Sequence, residues 1–420
     1  MKNKATITVS GIFLLALLAM AGCKVGNEII STNLAGMYEV ENRPEITGLR
    51  VFNQNDSISR VFVRYEMSSL LYEKETLMDN YTAKYTISYQ LYPSYESNQL
   101  LDSASFFLED SVHYGKQKEM VFDFSAKAPY PGEYLLEVRL EDLNKETESV
   151  FPVAIYKLSK NSAQYFLPID EQENVIFNDW ISWKTRFRIM STDPETDHLY
   201  VRYYNRNFPV ARPPYSMAHD RTYEYDADEQ FTVEMENGIS EFLQFGREGI
   251  FHFLADTSGR EGLTLYRFHD DYPQITDAAR LVPPLRYLTT SKEFNHLLGA
   301  ENPKVAVDSF WIKTAGNEER AVELIREYYS RVEFANQYFT SYKEGWKTDR
   351  GMLYIVFGPP QIVYRRTDIE TWIYGEQGNR ISLRFDFIKT INPFTDEDYS
   401  LQRKEEYKNP WFIAVDYLRR

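Results

Sequence analysis

The 420-residue sequence has one cysteine, Cys23. A single thiol cannot close an intramolecular disulfide, and it cannot build a zinc site on several thiolates. Positive charge is also scarce. Forty-seven Lys and Arg face 62 Asp and Glu, a net charge of −15, which repels phosphate backbones and argues against a nucleic-acid partner. The six histidines, His113, His198, His219, His252, His269 and His296, are scattered, none at ligand spacing from another. The sequence has no Gly-x-Ser-x-Gly elbow, P-loop or His-Glu-x-x-His. Beyond the first 22 residues no apolar run approaches the roughly 20 residues that cross a bilayer. Apolar residues make up 43% and charged residues 26%, enough for packed cores and too apolar for a disordered chain. The length exceeds what one core organises, so two or three domains are expected.

The start of the chain carries an address. Lys2 and Lys4 precede a mostly apolar stretch centred on Ile12-Phe13-Leu14-Leu15, followed by small residues. That order of positive start, short greasy helix and small exit is the secretory-leader pattern. Met20-Ala21-Gly22-Cys23 resembles the lipobox of bacterial lipoproteins, with a departure at its first position. The resemblance implies cleavage after residue 22 and acylation of Cys23, with 1–22 as signal peptide. Three acyl chains at about 0.8 kcal/mol per buried methylene would form a strong membrane anchor. Loss of Lys2 and Lys4 takes the balance to −17, 45 against 62. Lys24-Val25-Gly26-Asn27-Glu28 follows, with no Asp beside the Cys and no acidic run. By the sorting rules of such lipoproteins, the periplasmic face of the outer membrane is expected.

The rest reads as mainly β with a C-terminal α+β module. Residues 23–36 are expected as a tether. Over 37–158, Tyr85, Ile87, Tyr89 and Leu91 alternate with polar residues, as do Met120, Phe122 and Phe124, and Tyr134, Leu136, Val138 and Leu140. Alternation puts one face in a core and one in water, and some seven short strands at this spacing predict a β-sandwich, loosely immunoglobulin- or fibronectin-like. A second β-rich, sandwich-like domain is expected over 163–275. In it, the loop 205–220 with Pro209, Pro213 and Pro214 is flanked by Tyr203, Tyr204, Tyr215, Tyr223 and Tyr225, either a contact surface or a loop packed on its own domain. A linker is expected at 276–289 and the module at 290–420. Thr290 and Glu293 form a capping box. Asn317 caps a longer helix whose Ala321, Leu324, Ile325, Tyr328, Val332, Ala335 and Phe339 share one face. Strands are expected at 353–357, 361–364, 371–374 and 381–387, with 375–379 as a hairpin turn. The helix would pack on this small antiparallel sheet.

Residues 345–360 read Gly-Trp-Lys-Thr-Asp-Arg-Gly-Met-Leu-Tyr-Ile-Val-Phe-Gly-Pro-Pro. This resembles the GWxTD domain, a family of exported bacterial proteins, many from Bacteroidetes, whose function is not established. Arg331-Val332, Ala335-Asn336 and Phe339 before the motif, and Glu370, Trp372 and Tyr374 after it, fit the same pattern. Read as residues, Trp346 would wedge between a helix and a strand. Thr348 and Asp349 suit a turn, with Asp349 paired to Arg350 or Arg331. Gly351 would take a φ that other residues resist, and Gly358-Pro359-Pro360 would end a strand. Turn chemistry alone accounts for these residue types. The alternative is a ligand pocket lined by Asn336, Thr348 and Asp349 with Trp346 or Trp372 as a stacking floor. His269-Asp270-Asp271, Asp226/Asp228/Glu229 and Asp193/Glu195/Asp197 are expected to be charged turns, and no metal or cofactor is expected.

These readings lead to a non-enzymatic outer-membrane lipoprotein, whose two β domains hold the module away from the lipid to bind an envelope protein complex or a glycan. The alternative is an envelope hydrolase of glycan or peptide using carboxylates such as Asp349.

Overall fold

A computed structural model of the chain describes residues 32–38, 43–74, 76, 80–111, 119–218, 226–379 and 382–420. The expected signal peptide, Cys23, His113, His219, Tyr223, Tyr225 and Ile381 lie outside these residues.

Seven strands form the first β unit: β1 (Glu45–Phe52), β2 (Ile58–Glu66), β3 (Thr82–Tyr92), β4 (Asp102–Ser111), β5 (Glu119–Lys127), β6 (Gly132–Asp142) and β7 (Thr147–Lys157). They divide into a three-stranded sheet, β1-β2-β5, and a four-stranded one, β4-β3-β6-β7. The alternation in β3 works as expected: Ala83, Tyr85, Ile87, Tyr89 and Leu91 are buried. Without a disulfide, aromatic packing joins the sheets. Tyr89 of β3 stacks on Phe124 of β5 at 4.5 Å between ring centres, a pair contributing about 0.5–1.5 kcal/mol beyond its buried area.

The second β unit comprises β8 (Phe166–Asp170), β9 (Phe187–Ser191), β10 (His198–Tyr204), β11 (Glu229–Glu236), β12 (Ile239–Ser240), β13 (Gly249–Leu254) and β14 (Leu263–Arg267). These form one sheet of order β14-β13-β10-β11-β12-β9-β8. On a flat sheet β13 and β9 would lie four spacings apart, about 19 Å. Yet Phe187 of β9 and Phe251 of β13 both pack on Phe245, at 5.1 and 3.9 Å. The sheet is therefore rolled until its halves face each other. Residues 179–181, between β8 and β9, complete the roll by pairing with β14 at the far edge, through Tyr266 N to Asp179 O at 2.7 Å and Ile181 N to Tyr266 O at 2.8 Å.

The C-terminal part contains α1 (Ala278–Leu281), α2 (Ser291–Leu298), α3 (Pro303–Ala315), α4 (Glu318–Phe339), α5 (Asp349–Phe357), β15 (Ile362–Arg365), β16 (Ile369–Tyr374), β17 (Leu383–Lys389), β18 (Tyr399–Leu401) and α6 (Lys408–Leu418). Its sheet runs β15-β16-β17-β18, antiparallel throughout. The Thr290–Glu293 capping box and the Asn317 cap are both formed. The expected face of α4 is buried, with Ile325 at its margin.

Five expectations need correction. Residues 353–357 are helical, not a strand. Thr348 caps α5 by accepting from Gly351 N at 3.0 Å, and Asp349 to Val356 are all buried. A short helix buried on every side has no amphipathic period, so its Leu-Tyr-Ile-Val-Phe run reads like a core strand. Gly358, with φ of 79°, then ends a helix. Gly351 has no positive φ; it is needed for space, because a Cβ would fall on the Gly345 carbonyl. The stretch 276–289 is no linker, since Val282, Leu285, Tyr287 and Leu288 belong to the module's core. Nor does the tether extend to 36: Leu34, Ala35 and Tyr38 are buried in that same core.

The three parts touch one another. Phe52 and Phe62 of the first unit pack with Leu167, Ile169 and Phe177 of the second. Phe394 of the module meets Tyr204, and its carbonyl accepts from the Tyr266 hydroxyl at 2.8 Å. Beside them lies His252, buried. Its Nε2 faces the Arg260 carbonyl at 2.9 Å and so carries the proton, while Nδ1 accepts from the Thr264 hydroxyl at 2.9 Å. Burial lowers its pKa from 6.5 to about 4. The unfolded chain thus binds the extra proton first. The stabilisation from neutral His252 is complete above pH 6.5 and is lost as pH falls towards 4, up to about 3 kcal/mol. In urea unfolding from pH 7 to pH 4, His252→Gln should show a shallower loss of stability than the parent chain. Equal slopes would contradict this assignment.

Candidate functional site: a buried charge centre around the motif

The sequence motif lies at the junction of α4, α5 and the sheet. Gly345 can occupy its place only as glycine, since a Cβ there would fall on the Ala335 carbonyl. This close approach lets Trp346 N donate to Asn336 Oδ1 on α4 at 3.0 Å, while Asn336 Nδ2 donates to Pro273 O at 2.8 Å. The Trp346 carbonyl accepts from the Tyr287 hydroxyl at 2.8 Å. Trp346 is buried, its ring against Tyr287 edge-on. The Thr348 hydroxyl donates to Gly345 O at 2.7 Å as it caps α5. Asn336, Trp346 and Thr348 are thus brought together, and each bonds to protein.

Asp349 and Arg350 open α5, and successive helical positions point about 100° apart. Asp349 reaches β18 and the strand's exit, accepting from Leu401 N at 2.8 Å and from Arg403 at 2.5 and 3.1 Å. Its cation is Arg403, not Arg350 or Arg331. The Arg403–Asp349 pair is nearly buried, each side chain 10% exposed. A carboxylate here also faces the positive end of the helix.

Arg350 points to the other side, into the core. Its guanidinium lies 3.3 Å from Glu370 of β16 and donates to Glu397 O at 2.7 Å and to the Glu397 carboxylate at 3.1 Å. Arg365, paired in register with Glu370 across β15 and β16, donates through Nε at 2.8 Å. The other Glu370 oxygen accepts from Trp372 Nε1 at 2.7 Å and from the Tyr38 hydroxyl at 3.1 Å. Glu370 is wholly buried. Burial pushes its pKa up, but Arg365 and Arg350 outweigh that, and the net shift is down. Burial raises the Tyr38 hydroxyl, and Glu370 adds to the effect. The Trp372 ring is covered by Tyr38, Phe339 and Phe387 at 5.6, 5.3 and 4.9 Å. Trp346 and Trp372 are interior, so neither forms the floor of an open pocket. A cleft of about 370 Å³ opens instead in the second β unit, among Phe231, Phe245, Arg247 and Phe251.

The centre also receives groups from outside the module. Tyr95, in the β3–β4 loop of the first unit, interacts with Arg365. Its neighbour Glu96 accepts from the Thr367 hydroxyl at 2.9 Å. The loop that begins at residue 205 stays on its own unit at its start, where Arg206 pairs with Asp228 and Phe208 packs with Tyr204 and Tyr266, and then packs on the module: Ala211 N bonds Lys347 O, Lys404 N bonds Pro214 O, and Arg403 donates to Arg212 O. Tyr203 and Tyr204 are buried, and Tyr215 is partly buried against the module's core. Of the acidic clusters, Asp270 pairs with Arg267, Asp228 with Arg206, Glu229 with Arg247 and Asp197 with His198.

Sequence reasoning picked out Asn336, Trp346, Thr348, Asp349, Arg350 and Trp372 but missed Tyr38, Arg365, Glu397 and Arg403. One signal was available. Glu370 stands two residues before Trp372 on one strand, so both share a face, and a Glu beside a core Trp demands buried cations.

The architecture is that of a β-rich chain with a C-terminal mixed domain built on this motif. The family model of the GWxTD domain matches residues 249–420, starting at β13 inside the rolled sheet. The chain is therefore a GWxTD domain-containing protein. Comparison with curated proteins finds no match.

Removing one member of such a centre leaves buried charge uncompensated, at a cost of about 3–5 kcal/mol. Glu370→Gln, which leaves Arg350 and Arg365 short of an anion, should lose about that much in denaturant unfolding. A loss under about 1 kcal/mol, the range of an exposed pair, would contradict the described network.

Proposed function

We propose that this protein is a lipid-anchored component of the bacterial envelope. It is attached through Cys23 at the periplasmic face of the outer membrane and acts as a non-enzymatic scaffold for an envelope protein complex or a glycan. The address rests on the leader pattern and on the lone Cys following Ala21-Gly22. The observation that carries the scaffold reading is how the motif spends its polar groups. Asp349 is held by Arg403 and Leu401 N, Arg350 by Glu370 and Glu397, and Asn336 and Thr348 by backbone. A general acid or base must reach a substrate proton, and these groups are turned inward. What they hold together is the module, on which the β3–β4 loop and the loop after β10 also pack. The hydrolase alternative depends on an accessible Asp349, and no observation favours it.

Two experiments test the reading. Cys23→Ala should move the protein from the membrane fraction to the soluble fraction and abolish the diacylglyceryl mass on the N-terminal peptide. Persistence in the membrane fraction would refute the anchor. Asp349→Asn breaks a nearly buried ion pair and should lower stability by about 3–5 kcal/mol. An unchanged melting temperature would argue that Asp349 serves a ligand rather than the fold.

A further inference from the structure

We propose that the GWxTD module is the part of the molecule held against the bilayer, with the β15 edge of its sheet turned to the lipid surface. This rests on the anchored reading of Cys23. It reverses the arrangement that chain order suggests, in which the two β units would separate the module from the membrane.

The observation is where residues 33–38 sit. They are built into the module, at its seam with strand β7 of the sandwich. Leu34 N donates to Val363 O at 2.8 Å, Asn33 Nδ2 to Gln361 O at 3.0 Å, and Val363 N to Asn33 Oδ1 at 2.9 Å. The segment thus covers the outer edge of β15. Leu34, Ala35 and Tyr38 are then buried, at 2, 6 and 3% exposure. Tyr38 is fixed at both ends: its carbonyl accepts from the Tyr354 hydroxyl at 3.1 Å, and its own hydroxyl meets Glu370 and Arg365. The sandwich begins only at Glu45.

Chain length turns this into a distance. Nine residue steps separate Cys23 from Thr32. Fully extended they span at most about 32 Å, and as a flexible coil roughly 17 Å. Were 32–38 free, the leash would run 22 steps to Glu45, about 75 Å. The sandwich strands β3, β6 and β7 are each eleven residues long, about 36 Å. A leash of about 32 Å cannot pass around such a body. The module's β15 edge therefore stays within one leash length of the lipid, and the sandwich lies beside or beyond the module.

Energy transfer to the bilayer tests this. The acylated full-length protein, its only native thiol blocked by lipid, accepts one fluorophore on an introduced cysteine. It is then placed in phosphatidylethanolamine–phosphatidylglycerol vesicles carrying headgroup acceptors. Glu376→Cys reports on the module, in the hairpin whose Gly375 N bonds the Gln361 side chain. Ser105→Cys reports on β4, the edge of its sheet opposite β7. Transfer should be stronger from 376 than from 105. A 30-residue Gly/Ser spacer after residue 26 should reduce transfer from 376 at least twofold, and so should unseating the segment with Leu34→Asp and Tyr38→Ala. A protein that floats with the vesicles but transfers better from 105, or is indifferent to the spacer, overturns the orientation alone. A protein that neither floats nor carries the acyl mass overturns the anchored reading, and this proposal with it.

Discussion

Glu370 has no access to water, and it is charged. An isolated carboxylate could not stay ionised there, so the C-terminal fold depends on two guanidinium groups arriving at the same point. Arg350 comes from the first turn of α5 and Arg365 from the neighbouring strand, while Trp372 and Tyr38 donate the remaining hydrogen bonds. Each element that contributes is thereby fixed. A one-residue slip of β16 would turn Glu370 and Trp372 to the opposite face and strand both arginines. The centre is thus weak evidence for raw stability and strong evidence for register. It sets where α5, β15, β16 and the residue 33–38 segment must lie relative to one another.

The same logic explains the order of residues in the motif. Glycine at 345 lets the chain touch α4, Trp346 fills the angle, Thr348 starts α5, and Asp349 and Arg350 point two opposite charges to two different partners. None of these roles needs a ligand. All of them bear on how α4 and α5 meet the sheet, because Asp349 pins β18 and Arg350 pins β16. The motif is compact in sequence because a single helix start performs all of this.

Some of this was legible from sequence, and some was not, for physical reasons. The first sandwich, the capping box, the Asn317 cap and the long helix announce themselves through period-2 alternation, local side-chain bonds and a 3.6-residue apolar face. Helix α5 does not, because burial on all sides removes its period, and a β-branched run then resembles a core strand. Helix α3 is similar: Val305, Val307, Phe310, Trp311 and Ile312 are distributed around it, so no face stands out. The partners Arg403 and Tyr38 lie 54 and 311 residues from Asp349 of the motif. No local rule connects such distances, and only the fold brings them together. The loop with Pro209, Pro213 and Pro214 was visible as irregular chain, but that it closes over Lys347 and Arg403 depends on tertiary packing.

Chain order is therefore a poor guide to spatial order here. The residue 33–38 segment and the last strand and helix belong to one core, with both β units inserted between them along the chain. A module closed by its own distant N-terminal segment cannot complete its charge centre until the C-terminal part is present, since Tyr38 has no partner before Glu370 and Arg365 exist. Early-synthesised residues 33–38 must wait for roughly 330 later residues. Contacts of this range carry a high loop-closure cost, which buried charge and aromatic packing must offset. This does not tolerate the loss of Tyr38, because among the described residues the tyrosine is the one group that joins the N-terminal segment to the carboxylate around which the module is organised.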